Sequence, residues 1–165
     1  MASSDSISRP IGFPLTISVF AALVLTLVSL PDALYYFWPD WMLLVVIFWS
    51  YSERDAFGPG HALPMGILLD VLYVKTFGVL SLGFVLIAFI VNQTSHQLKA
   101  MTTWQQCFMV GLLAAIFKLL TGWLYGIVED FSFTLPFWYS IIGSMVAWPF
   151  VTIILSGLRR FTRVL

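Results

Sequence analysis

Charged residues are scarce in this chain. Asp, Glu, Lys and Arg make up 10% of its 165 residues and apolar residues 60%, where a soluble domain has roughly 25% and 45–50%. With a mean hydropathy of +0.95, this excludes an ordinary soluble domain and indicates an integral membrane protein. The single cysteine, Cys107, excludes an internal disulfide or a cysteine metal cluster, and in an apolar run it reads as a small hydrophobe. Bases are scattered, without the Lys/Arg cluster and interleaved aromatics of a nucleic-acid surface. Catalytic patterns are also missing. His61 and His96 belong to no HExxH and have no acidic ligand at helical spacing, which argues against a zinc protease. Gly58 and Gly60 are followed by no Gly-Lys-Ser/Thr phosphate loop. Ser81, Ser140 and Ser144 have no His or Lys placed for a nucleophile dyad, so they read as interhelical hydrogen-bonders. Neither an enzyme nor a cofactor is indicated.

Long apolar runs take the place of these features. A helix needs about 20 apolar residues to cross roughly 30 Å of hydrocarbon, and on that basis six spans are expected, at about 14–30, 39–51, 57–74, 77–97, 104–128 and 135–158. Together they predict an all-α polytopic bundle forming one transmembrane domain over residues 1–165, with no connection long enough for a soluble domain. The first run is longer than a signal-peptide core, and Ser29, Leu30, Pro31 and Asp32 offer no small-x-small cleavage site, so it reads as an uncleaved span. The second is short. Its roughly 13 residues would cross only with help from Phe37, Trp38 and Trp41, or as a helix preceded by an irregular segment packed against protein. Pro149, after Trp148, is expected to kink the last span.

The net charge of zero conceals a segregation. Arg9, Arg54, Lys99, Arg159, Arg160 and Arg163 fall on one side of the six-span arrangement, Lys75 on the other, and Lys118 inside span five. The positive-inside rule then puts both termini in the cytoplasm. The opposite loops carry Asp32, Asp40, Glu129 and Asp130 with many aromatics, which read as an interfacial belt and also as a surface for another membrane protein.

Two charges fall within spans. A charge at mid-membrane costs about 2.5–3.5 kcal/mol on insertion scales and normally faces a bundle interior or a wet cavity. Asp70 shares a face of span three with Ala62 and Gly66, spaced by four. Lys118 shares a face of span five with Gly111, Ala115, Gly122 and Gly126, and the last two form GxxxG. Small residues permit close helix approach, so spans three and five are expected to pack together and Asp70 to pair with Lys118. The alternative is that each charge is satisfied separately by backbone and water.

One set of motifs, taken in order, resembles a known family. Pro39-Asp40-Trp41-Met42-Leu43-Leu44 leads to Phe48-Trp49, followed by Gly66-Ile67-Leu68-Leu69-Asp70, Phe77-Gly78 and Trp148-Pro149. Over nearly its whole length the chain is similar to the MreD family, the rod shape-determining membrane proteins of bacteria. That resemblance implies a non-enzymatic scaffold in the bacterial inner membrane that binds MreC and helps maintain rod shape through control of peptidoglycan synthesis. Further implied partners are RodA with its class B transpeptidase, the MreB filament and membrane lipid. It also implies a fold like the substrate-binding components of energy-coupling-factor transporters. Many of those carry an Ala-x-x-x-Ala contact motif, whereas in span one Ala21 and Ala22 are adjacent. A membrane subunit binding or transporting a small molecule or lipid is the alternative, with Asp70, Lys118, Asn92 and Gln93 as the polar groups available within the spans.

Overall fold

The shortest helix lies at the centre. Trp41–Ser52 (α2), 12 residues long, is packed most extensively against α1 (Gly12–Leu27), α4 (Val79–Ala100) and α6 (Leu135–Val164), and also touches α3 (Pro59–Leu72) and α5 (Thr103–Glu129). This arrangement is a computed structural model, which describes residues 12–28, 37–73, 78–129 and 135–164. Among the described residues there are six helices, each in one of the six apolar runs, and no strand.

The position of α2 explains its sequence. Every residue from 42 to 50 is buried, so the run MLLVVIFWS shows no polar stripe, as expected of a helix enclosed on all sides. At 1.5 Å per residue α2 is about 18 Å long, well short of a hydrocarbon core of about 30 Å. By contrast, α4, α5 and α6 are long and apolar enough to cross a membrane, while α1, α2 and α3 are shorter.

The chain enters α2 as an irregular segment held against protein. Gly143 of α6 lies beneath it so closely that a Cβ there would stand 1.9 Å from the Phe37 carbonyl oxygen. The Phe37 ring stacks on Tyr139 at 5.3 Å, and Trp38 Nε1 donates to the Leu25 carbonyl at 2.9 Å, satisfying one open carbonyl near the end of α1. Packing on protein in this way satisfies the polar groups of a non-helical segment.

Two antiparallel hairpins flank α2. In the first, α3 runs against α4. A Cβ on Gly66 would fall 2.3 Å from Ser81 Cα, so the two backbones meet with no room for a side chain. The turn ends at Gly78, whose φ of +94° suits glycine and which N-caps α4. In the second hairpin α5 packs on α6, Gly111 receives the Met145 thioether, and Trp148 Nε1 donates to Gln106 Oε1 at 3.4 Å. Gln106 Nε2 in turn donates to the Leu98 carbonyl at 2.9 Å, covering the C-terminal end of α4. Helix α6 continues through Pro149. Around this core many outward side chains are large and apolar, among them Phe20 of α1, Ile67 and Val71 of α3, Phe108 and Trp123 of α5, and Val146, Phe150 and Ile154 of α6.

The expected pairing of spans three and five is not what forms. The Gly66 face of α3 is occupied by α4, and α3 and α5 share no substantial interface. Chain connectivity accounts for the difference, because α3 ends at Leu72 and α4 begins at Val79, so the small-residue face is used by the neighbour nearest in sequence.

Candidate functional site

Three polar clusters interrupt the apolar packing, and each ties down a helix end. The first belongs to Asp70, which is fully buried. Its Oδ2 accepts from Gly78 N at 2.9 Å, Ser81 N at 3.3 Å and Ser81 Oγ at 2.9 Å, and Oδ1 accepts from Leu80 N at 3.1 Å. These amides are the orphan donors at the start of α4. Asp70 stands near the C-terminal end of its own helix, where the dipole disfavours a carboxylate by about 0.3–1 kcal/mol. Charge-assisted hydrogen bonds contribute roughly 1.5–3 kcal/mol each, so the contacts with α4 outweigh that penalty. Asp70 is a cap supplied in trans by the preceding helix.

The second cluster surrounds Asp40, the N-cap residue of α2. Lys118 Nζ of α5 lies 3.1 Å from Asp40 Oδ2, and Ser140 Oγ of α6 donates to the same oxygen at 3.0 Å. The Asp40 amide donates to Ser144 Oγ at 3.2 Å. One acid thus joins α2, α5 and α6. By helical rise Lys118 lies about 16 Å inside the Glu129 end of α5, close to the middle of that helix. A charge at such depth needs a partner within the bundle, and Lys118 has one.

The third cluster holds the other end of α2. Arg159 of α6 donates through Nη1 to Ser52 Oγ and to Glu53 Oε1, the latter at 3.2 Å. Tyr51 lies against Trp148 in the same region, ring centres 5.9 Å apart. The short central helix is therefore fastened at both ends by charged contacts to the long helices.

The expected Asp70–Lys118 pair is corrected by this geometry. Asp70 spends its carboxylate on the start of α4, while Lys118 turns to Asp40, which the sequence reading places in an outer loop. Of the proposed packing residues, Ala62, Gly66, Gly111 and Gly122 are buried, Ala115 is half-buried and Gly126 is exposed. The three intramembrane serines do bond between elements, Ser81 to Asp70 and Ser140 and Ser144 to Asp40. Of the remaining polar groups in the spans, Asn92 Nδ2 donates to the Phe57 carbonyl at 3.4 Å. His61 serves its own helix, Nδ1 accepting from Gly58 N at 3.4 Å. Arg9, Asp32, Lys75, Phe77 and Asp130 lie outside the described residues. Among the described residues no group of three or more His, Cys, Asp or Glu side chains is placed to hold a metal ion.

With this arrangement established, comparison with known proteins is informative. A family model described as rod shape-determining protein MreD matches residues 9–158. The chain belongs to the MreD family. A rod shape-determining protein MreD from Haemophilus influenzae is 26% identical over 144 residues, covering 84% of this chain and 86% of that protein. No solved structure matches. MreD membership assigns the chain to rod shape determination and to the membrane. The Asp40, Asp70 and Lys118 contacts all fall inside the matched region.

Sequence reasoning missed the contacts of Asp40 with Lys118, Ser140 and Ser144 and missed the Arg159 contacts altogether. A signal for Asp40 was present in the length of the second run. A helix of 12 residues among longer neighbours ends beside their flanks, so its flanking charges, Asp40 and Glu53, were placed to contact those helices.

Proposed function

We propose that this protein is a non-enzymatic scaffold of the bacterial inner membrane that binds MreC and, through it, helps position peptidoglycan synthesis by RodA and its class B transpeptidase along MreB. The observation that carries this reading is the use made of the deep charges. Asp70, Asp40, Lys118 and Arg159 join helix ends to neighbouring helices, and large apolar side chains are exposed on α1, α3, α4, α5 and α6. Such a body suits lateral association, which in lipid depends on close packing because burial from lipid gives little driving force. Gly126, exposed on α5, is a place where a partner helix approaches closely.

In this reading all six helices belong to a multi-pass bundle with both termini cytoplasmic. Arg54, Lys99, Arg159 and Arg160 gather at the end of the bundle where α2, α4 and α6 finish and α3 begins, in keeping with the positive-inside rule. A reporter fused after Leu165 should be active only in the cytosol.

The direct test is purification of the membrane complex without crosslinker. MreC should co-elute with the intact protein, and Gly126→Leu should remove it while leaving the elution volume and thermal stability of the isolated bundle unchanged. Failure of MreC to co-elute with the unaltered protein contradicts the scaffold reading. A binding role for a small molecule or lipid has one observation in its favour, the incomplete burial of Asp40.

A further inference from the structure

The turn between α4 and α5 carries a shallow groove of about 460 Å³, lined by Met101, Trp104, Gln105, Phe108 and Met109. That volume falls within the roughly 300–1,000 Å³ of small-ligand sites, whose lining is also mostly apolar with few polar groups. Trp104 and Phe108 are 88% and 70% exposed. They stand four residues apart, as does the exposed Leu112 beyond them, so the groove runs from the polar turn at Thr102 and Thr103 onto the outer apolar face of α5. Two residues before Met101 is Lys99, exposed in the last turn of α4. We propose that this groove holds an acyl chain of an anionic phospholipid, with Lys99 taking the phosphate.

Charge and shape select the class of occupant. At this end of the bundle bases outnumber acids, with Arg54, Lys99, Arg159 and Arg160 against Glu53 and Asp55. Glu53 is paired with Arg159, and from Ala56 to Val128 the sole acid is Asp70, which is buried and spent on the start of α4. Among the described residues Lys99 forms no ion pair. Consecutive Cα atoms are about 3.8 Å apart, which puts Lys99 within about 8 Å of Met101. A lysine stem lies along apolar surface while its ammonium stays at the polar boundary, where tryptophan is also common. A molecule that joins an apolar chain to an anionic head matches both parts. A free anion leaves the groove empty, and a hydrocarbon leaves Lys99 unmatched. Such a lipid holds the α4–α5 turn at the membrane boundary and is not a cargo. This inference rests on the multi-pass placement proposed above, which sets that turn at the cytoplasmic boundary of the bilayer.

Lipid retention by the purified protein tests the site. The protein is placed in nanodiscs of equal parts dioleoylphosphatidylglycerol and dioleoylphosphatidylcholine, and the lipid kept on release is counted by native mass spectrometry. The unaltered protein should keep a lipid, with phosphatidylglycerol preferred roughly fivefold, the preference that a single lysine gives at an anionic surface. Lys99→Gln should bring the two lipids to parity. Arg54→Gln, at an exposed base in the turn between α2 and α3, should leave the preference unchanged. Trp104→Ala combined with Phe108→Ala should lose the bound lipid of either kind. Both side chains are exposed, so the fold, checked by elution volume, is retained. The proposal is overturned by absence of a preference in the unaltered protein, by equal effects of Lys99→Gln and Arg54→Gln, or by lipid retention that survives loss of both aromatics. Release as a dimer that the aromatic substitutions separate would make the groove an interface between copies and would overturn it as well. The reporter after Leu165 tests the placement separately. Activity outside the cytosol contradicts the placement whatever the lipid count, and loss of lipid preference with a cytosolic reporter contradicts the site alone.

Discussion

Gly66 of α3 and Ser81 of α4 meet backbone to backbone: a Cβ on the glycine would stand 2.3 Å from Ser81 Cα and 2.7 Å from Ser81 N. Neither atom belongs to a flexible side chain that could turn aside. The contact also sets the distance over which Asp70, one turn further along α3, reaches the amides of α4. Gly66→Ala should therefore separate the two helices and destabilise the bundle by about 1–3 kcal/mol. Gly60→Ala, in the same helix with open space around it, should cost nothing measurable. Thermal unfolding of the two variants in detergent checks the contrast.

Removing the trans cap tests the first polar cluster. Asp70→Asn retains an acceptor but loses the charge that strengthens each of its contacts, and a loss of roughly 2–3 kcal/mol is expected. Ser81→Ala removes one charge-assisted donor and should cost about 1.5–3 kcal/mol. Because Lys118 is not a partner of Asp70 in this structure, Asp70→Asn and Lys118→Met should lower stability additively. Recovery in that double variant would contradict the separate partners of Asp70 and Lys118.

The third cluster should matter less. Arg159 and Glu53 retain 28% and 20% of their side-chain exposure, so water screens their attraction, and Glu53→Gln should cost about 1 kcal/mol or less. Arg159→Met also removes the bond to Ser52 and should cost more than Glu53→Gln. Denaturant midpoints of the two single variants give the order.

Much of the fold was legible because apolar run length is set by the membrane. All six runs became helices, and the serines in them were recognisable as bonding groups because a hydroxyl in hydrocarbon has few other options. Helix pairing was not legible. Small residues on α3 and α5 showed that close contacts exist, but any small face fits any other, and Gly66 meets Ser81 of the next helix while Gly111 meets Met145 of α6. Asp40 was obscured by its neighbours. Beside Pro39 and Trp38 it has the composition of a loop, and its position against α5 and α6 follows from how the preceding segment packs on Gly143, a tertiary contact with no local signature.

The most direct test is the coupling free energy between Asp40 and Lys118, measured by a double-mutant cycle on the thermal or denaturant stability of the purified protein. Asp40→Asn should destabilise it by about 3 kcal/mol, since it leaves the nearly buried Lys118 without its counter-charge, and Lys118→Met should cost less, because Asp40 retains 32% of its side-chain exposure. The double variant should recover a substantial part, giving a coupling of at least about 1 kcal/mol. A coupling near zero, with the two losses simply adding, would contradict the anchoring of the central helix to α5 by this pair.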